Sequence, residues 1–145
     1  MSNAKFSVKS KSENPTKTVV EARSFKMIID EPAPLGGTDH GPNPVEYVLA
    51  ALSGCLNVVG HMIANEMGFA LRGLEFNVEG DLNTEKFQGL PTSGRAGFME
   101  IRVTVIPDTD ADSGLLQKWL EKVIERCPVS DNLANATPVK IMLGA

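Results

Sequence analysis

The longest regular pattern in the chain is a helical one in its first half. Apolar residues recur there at three- and four-residue steps, at Val45, Val48, Leu49, Leu52, Leu56, Val59, Met62, Ile63 and Met67. Asn43 can cap the start, Pro44 suits the first helical position and Gly68 suits the end. Small residues occupy much of the remaining circumference, so other elements can approach closely from several sides. The pattern predicts a central helix of about six turns that one small domain need not cover alone.

A second helical pattern occupies residues 110–127. Its apolar face comprises Leu115, Leu116, Trp119, Leu120, Val123 and Ile124. Cys127 stands at the end of this helix, because Pro128 discourages its continuation. The following segment, PVSDNLANA, can form a short helix or a turn. The sequence therefore predicts a surface helix that ends in a cysteine where the backbone turns.

Near-alternation of apolar and polar residues indicates strands on both sides of the long helix. Before it come an edge strand in AKFSVKS and the strands KTVVEAR and SFKMIID, which read as an antiparallel meander. After it come GLEFNVEGDLN, GFMEIRVTVIP and a last strand in PVKIML. The loop DEPAPLGGTDHGPNP holds four prolines and three glycines, so it is shaped rather than regular. This order predicts a single α+β domain over residues 1–145, with helices against a curved antiparallel sheet.

Charge and composition narrow the classes of partner. The chain of 145 residues carries 14 basic and 18 acidic residues, a formal net charge of −4, so no surface for nucleic acid is indicated. We find no apolar run of membrane-spanning length and no signal peptide at the start, and expect a cytoplasmic protein without a membrane partner. Cysteine and histidine do not gather at zinc spacing, so we expect no metal.

The candidate chemistry lies in two cysteines, Cys55 in the long helix and Cys127 at the end of the second one. Free cysteines usually pack as small hydrophobes, and that interpretation stays open for both. The alternative is peroxide reduction, which needs a thiolate, an access path and a second thiol that condenses with the sulfenic acid. Small residues before Cys55 leave room beside its sulfur, whereas the turn at Cys127 favours a sulfur that can move.

A thiolate at position 55 would need a nearby cation. Cys55 lies eleven residues past Pro44, and the helix dipole acts only over the first turn. The candidate cations are Arg23, Arg72, Arg95, Arg102 and Arg126. The residues alone do not choose among them.

The stretch GPNPVEYVLAALSGC, residues 41–55, and the later CPVSDNL, residues 127–133, together resemble the OsmC/Ohr family of osmotically inducible and organic hydroperoxide resistance proteins. The resemblance covers nearly the whole chain and is stronger to a less characterised branch than to either named one. It implies an OsmC-like fold whose long central helix carries Cys55 and whose second helix ends near Cys127. It also implies an intertwined homodimer with active sites at the subunit interface.

The resemblance further implies an activity. Cys55 matches the peroxidatic cysteine of a thiol-dependent peroxidase and Cys127 the resolving one. The implied substrate is a small apolar organic hydroperoxide, and the implied role is oxidative stress defence. An external dithiol, small or carried by a protein, would restore the thiols, so no bound cofactor is expected.

Two departures from the family pattern concern the residues around the thiol. In the best-known branches a glutamate follows the motif proline and pairs with an arginine beside the reactive sulfur. Here Val45 takes that place, and Glu46 lies about 180° around the helix from Cys55. No arginine stands at an unambiguous family position, and Arg23, in the N-terminal strands, is our choice for the activating one.

Three residues near the helix start are candidates for a substrate pocket: Asp39, His40 and Glu46. The first two precede the helix in the constrained loop, where they can line a pocket made with the partner subunit. Their structural explanations are a turn-forming aspartate, a solvated histidine and a first-turn acid favoured by the helix dipole.

A second functional hypothesis is a non-catalytic protein on the same scaffold that binds or senses a small molecule in an apolar pocket at the dimer interface. Val45 in the glutamate position favours this hypothesis. The presence of both cysteines at the family spacing favours the peroxidase.

Overall fold

A computed structural model describes residues 2–144, which form two compact units that divide between Val48 and Leu49. The elements are β1 Lys9–Ser12, β2 Thr18–Ala22, β3 Phe25–Ile29, a 3-10 turn at Ala33–Leu35, α1 Pro44–Met67, β4 Gly73–Leu82, β5 Phe98–Asp108, α2 Ser113–Arg126 and α3 Pro128–Ala134. The predicted α+β class is confirmed, with the strands in antiparallel sheets. That the chain is one domain remains a prediction.

The first unit contains the N-terminal meander. Its three strands pair in the order β1-β2-β3, so β1 is an edge strand as predicted, although it begins later in the chain than the pattern indicated. Arg23 occupies the tight turn between β2 and β3 with a positive φ of 55°, and its guanidinium lies 5.0 Å from the centre of the Phe25 ring.

The loop after β3 is held by one buried carboxylate. Asp30 is fully buried and accepts hydrogen bonds from the hydroxyls of Thr16 and Thr38 and from the backbone N–H groups of Glu31 and His40. Burial alone would raise the pKa of Asp30, but these donors outweigh it and hold the pKa well below the usual range. The prediction of a shaped loop is confirmed.

Local sequence signals fix both ends of α1. At its start the Asn43 side chain accepts from the N–H of Glu46 at 2.9 Å, and the Glu46 carboxylate accepts from the N–H of Asn43 at 2.8 Å. This reciprocal arrangement is a capping box. At its end Gly68 takes a φ of 76°, and the N–H of Phe69 bonds to the carbonyl of Ala64. The predicted bounds of Pro44 to Met67 are confirmed.

The second unit is built around the buried face of α1. Its core consists of Leu52, Leu56, Val59, Ile63, Ala64, Trp119, Val123 and Cys127, with inward side chains of β4 and β5 packed against it. Trp119 donates its indole N–H to the carbonyl of Gly60 at 2.8 Å. A Cβ at position 60 would come within 3.1 Å of the indole ring, so this glycine lets α2 lie close against α1.

Two sequence predictions were wrong. Residues 138–143 form no strand, and their side chains are exposed: Val139 by 76%, Ile141 by 92% and Leu143 by 101%. The alternation of apolar residues was not sufficient, because a strand needs a partner edge, and this segment pairs with none in the described part of the chain.

The second wrong prediction concerned length. Within residues 2–144 one helix, α1, is long and apolar enough to cross a membrane by length and composition. Ser53, Asn57 and His61 interrupt its apolar run. A search for an unbroken apolar run therefore missed the high mean hydropathy of the helix. The Leu52 and Ile63 side chains pack in a protein core, and helices at the centre of a folded domain meet the same criterion.

Candidate functional site

Cys127 sits at the junction of two helices because of the proline that follows it. A residue before proline is disfavoured in the helical conformation, and Cys127 is extended, with φ −79° and ψ 110°. Cys127 is the C-cap of α2 and the N-cap of α3, and its sulfur accepts a hydrogen bond from the N–H of Ser130 at 3.4 Å. The predicted short helix after Pro128 is confirmed as α3.

The two thiols differ in burial, which the sequence did not predict. Cys127, which we expected at a site that can move, is fully buried in the core of the second unit. Cys55, which we expected to be held inside a long helix, is only partly buried and packs against that core. Cys55 is therefore the more exposed of the two cysteines.

The two thiols lie next to each other, and Cys127 affects the ionisation of Cys55. Burial raises the pKa of Cys55 above its ordinary value. The backbone N–H of Val129 counteracts this effect, whereas the thiol of Cys127 raises the pKa of Cys55 further, as a hydrogen-bond partner and as a second charge. The structure therefore brings a reactive-cysteine candidate and a resolving-cysteine candidate together, with Cys55 protonated at neutral pH in the single chain.

Three of the five candidate arginines are held by carboxylates. In the second unit Arg72 binds Asp108 and Asp110, and Arg126 binds Glu66. These partners raise the pKa of each arginine.

Arg102, also in the second unit, lies on β5 among three acids. Its guanidinium binds Asp81, Glu100 and Glu79, and these partners raise its pKa. Arg102 is therefore engaged in a local ion-pair network, as Arg72 and Arg126 are in theirs.

The two thiols belong to the second unit, and the other predicted site residues belong to the first. Asp39 and His40 are exposed in the loop that Asp30 anchors, and Asp39 takes a positive φ of 53°. Glu46 is exposed and closes the capping box of α1. Arg23 is exposed in its turn beside Phe25. The structure therefore agrees with the structural explanations of two of these residues: Asp39 lies in the loop with a positive φ, and Glu46 is an acid in the first turn of α1.

Sequence reasoning missed two backbone groups beside the sulfurs, the N–H of Val129 and the N–H of Ser130. A signal for them was present, since Pro128 at the first helical position makes Cys127 the cap of a new helix. The free N–H groups of that first turn then face the capping side chain.

Comparison with known proteins identifies the family. The sequence matches the family OsmC-like protein over residues 37–142. Comparison with curated proteins gave no significant match.

Solved structures resemble the whole chain. An OsmC-like protein from Mycoplasma pneumoniae has a TM-score of 0.80 at 20% identity, over 92% of this chain and 89% of that one. An organic hydroperoxide resistance protein OsmC from Legionella pneumophila has a TM-score of 0.65 at 19% identity, over 90% and 91%. A structure from Vibrio cholerae, described as a possible organic hydroperoxide resistance protein with captopril bound in one active site, has a TM-score of 0.67 at 14% identity, over 92% and 86%. With a family match that covers most of its length, the chain belongs to the OsmC family.

Proposed function

We propose that the chain is a thiol-dependent peroxidase that reduces organic hydroperoxides. The observation that carries the proposal is the pairing of a partly exposed thiol, Cys55, with a fully buried one, Cys127, next to it. Such a pair suits peroxide reduction, because the sulfenic acid meets a second thiol and forms a disulfide before it oxidises further. Several structural relatives are named as hydroperoxide resistance proteins, which supports the same activity.

The proposed reaction begins at Cys55. Its thiolate attacks the distal oxygen of the hydroperoxide, the O–O bond breaks, and the alcohol leaves after taking up a proton. The Cys127 sulfur then attacks the Cys55 sulfenic acid, releases water and forms a disulfide. An external dithiol reduces this disulfide and is itself oxidised, so no bound cofactor takes part.

Ionisation of Cys55 needs a nearby positive charge, and three of the candidate arginines in the second unit already bind carboxylates. Arg72, Arg102 and Arg126 are engaged with carboxylates there. We assign the activating role to Arg23, whose guanidinium has only an aromatic ring as its described neighbour.

We also propose that the active form is a homodimer. The α1 helix is long and apolar, yet Val58 is 65% exposed and Met62 is 42% exposed. The apolar segment 138–143 is exposed as well. A second copy of the chain would cover both surfaces, and a pocket at that interface would admit a small apolar hydroperoxide beside Asp39, His40 and Glu46. The protein would act in the cytoplasm, without nucleic acid or membrane as a partner.

The activity is tested by following the loss of cumene hydroperoxide in the presence of excess dithiol. The wild-type protein should consume many equivalents, and Cys55→Ser should consume none above background. Ser53→Ala, two residues away on the same helix, is the matched control and should retain turnover. Equal rates for wild type and Cys55→Ser would refute the proposal.

The alternative function is a non-catalytic protein that binds or senses a small apolar molecule. The raised pKa of Cys55 favours this alternative, because a protonated thiol reacts slowly with peroxide. Val45 in place of the family's glutamate favours it too. An unreactive protein that co-purifies with a lipid-like molecule would support this alternative.

A further inference from the structure

The two sulfurs of the site differ sharply in their access to solvent. Cys127 has no exposed surface and belongs to the core cluster with Trp119 and Val123. Cys55 keeps part of its surface exposed and only packs against that cluster. The difference follows from position. Cys55 lies at the border of the buried face of α1, whereas Cys127 is the C-cap of α2 and lies within the core.

Thiol–disulfide exchange begins with attack of a thiolate along the S–S axis on one of the two sulfurs. Which sulfur is attacked depends on access and on how well the other sulfur leaves as a thiolate. In this site access favours Cys55. Backbone donors do not separate the two leaving groups, because the N–H of Ser130 donates to Cys127 at 3.4 Å and the N–H of Val129 donates to Cys55, so access decides.

We propose that the external reductant attacks the Cys55 sulfur of the Cys55–Cys127 disulfide, so that the mixed disulfide forms on Cys55 and Cys127 leaves as the thiolate. This inference rests on the proposed function for the existence of that disulfide. The Cys55 sulfur then takes part in both half-reactions: it takes up the peroxide oxygen, and it is attacked by the reductant thiolate.

The exchange balances in two steps. A reductant thiolate forms an S–S bond with Cys55 while the bond to Cys127 breaks, and the Cys127 thiolate takes a proton. A second reductant thiol then attacks the reductant's own sulfur in the mixed disulfide and releases Cys55, so the reductant leaves as a disulfide. A dithiol whose sulfurs can reach each other completes both steps within one encounter, which is the chemical reason for a dithiol partner.

The test begins with the disulfide made by diamide, so that it does not depend on peroxide. The oxidised wild-type protein is treated briefly with glutathione, quenched with acid and alkylated, and its peptides are identified by mass spectrometry. We expect glutathione on Cys55 and the alkyl group on Cys127. Glutathione on Cys127 would overturn the proposal, as would failure of diamide to join the two cysteines.

Single-cysteine variants provide a second readout. Cys127→Ser keeps an N-cap oxygen for Ser130 and leaves only Cys55 to react, and Cys55→Ser leaves only Cys127. With an aromatic disulfide reagent under native conditions, Cys55→Ser should react on the order of tenfold more slowly than Cys127→Ser, and both should react alike after denaturation. Equal native rates would contradict the proposed difference in access. A protein that fails to reduce cumene hydroperoxide but passes both tests would refute the peroxidase and leave this inference standing.

Discussion

At the scale of single residues, the reactivity of Cys55 depends on the groups that face its sulfur. Burial and the Cys127 thiol raise its pKa, and the N–H of Val129 lowers it. A thiol with a raised pKa gains thiolate only as the pH rises into the alkaline range. Cys127 therefore restrains the ionisation of Cys55 in the reduced protein.

Replacement of Cys127 should release this restraint. In Cys127→Ser the second thiol and its charge are gone, and the serine hydroxyl can donate to a Cys55 thiolate. We expect the pH midpoint of Cys55 alkylation by iodoacetamide, followed by peptide mass spectrometry, to move to lower pH than in the wild type. Ser130→Ala keeps its backbone N–H and should leave the midpoint unchanged. An unchanged or higher midpoint in Cys127→Ser would show that Cys127 does not raise the pKa of Cys55.

The sequence indicated the two cysteines as a candidate site, and the structure brings them together, but the sequence did not reveal their surroundings. Cys55 and Cys127 were recognised from their spacing and the motifs around them. Their relative burial was not predicted, because exposure depends on how α2 packs against α1 at Gly60, a contact between residues far apart in the chain. The cation for Cys55 stayed open for the same reason.

At the scale of elements, the loop between β3 and α1 depends on Asp30. Its carboxylate is buried and receives two hydroxyls and backbone N–H groups, which hold its pKa below that of an unfolded aspartate. A carboxylate with a depressed pKa stabilises the folded state above the unfolded pKa, and the contribution is lost as the pH falls toward the folded pKa.

Asp30→Asn should therefore destabilise the protein most at neutral pH. The amide would place N–H groups against donors that need an acceptor, and we expect the Tm at pH 7 to fall by at least about 5 °C. The difference from wild type should narrow as the pH is lowered, because the wild-type carboxylate is then protonated. Thermal unfolding followed by circular dichroism measures both effects. Asp39→Asn, exposed in the same loop, serves as the control, and an equal Tm for Asp30→Asn and wild type at pH 7 would contradict the anchoring role.

The long helix was predicted with correct bounds from local signals, and the strands β2 to β5 were predicted close to their observed bounds, but the last expected strand was wrong. The capping box of Asn43 and Glu46 and the positive φ of Gly68 are encoded within a few residues, so α1 was predicted from Pro44 to Met67. The strand expected at residues 138–143 has the right alternation but finds no partner edge among the described residues.

At the scale of the whole molecule, exposed apolar surface is the main argument for a second copy. Leu52 is buried within the single chain, so Leu52→Asp would disrupt the core itself and gives no clean test of assembly. Val58 lies on the same helix with 65% of its surface exposed, so its replacement tests the interface without touching the core.

We expect the wild type to elute as a dimer in size exclusion and Val58→Asp to elute as a monomer or to dissociate at higher concentration. Helical content by circular dichroism should stay near that of the wild type. Phe87→Asp is the matched control, because Phe87 is also exposed, by 72%, but lies in the connection between β4 and β5. A Val58→Asp protein that remains a stable dimer would show that this face of α1 is not the interface.

The most direct test of the central claim is intact and peptide mass spectrometry after one equivalent of cumene hydroperoxide. The proposed chemistry predicts the loss of two hydrogens and a Cys55–Cys127 disulfide, formed within the same chain and absent from Cys127→Ser. Sulfinic acid on Cys55 beside a reduced Cys127, or two unchanged thiols, would contradict it.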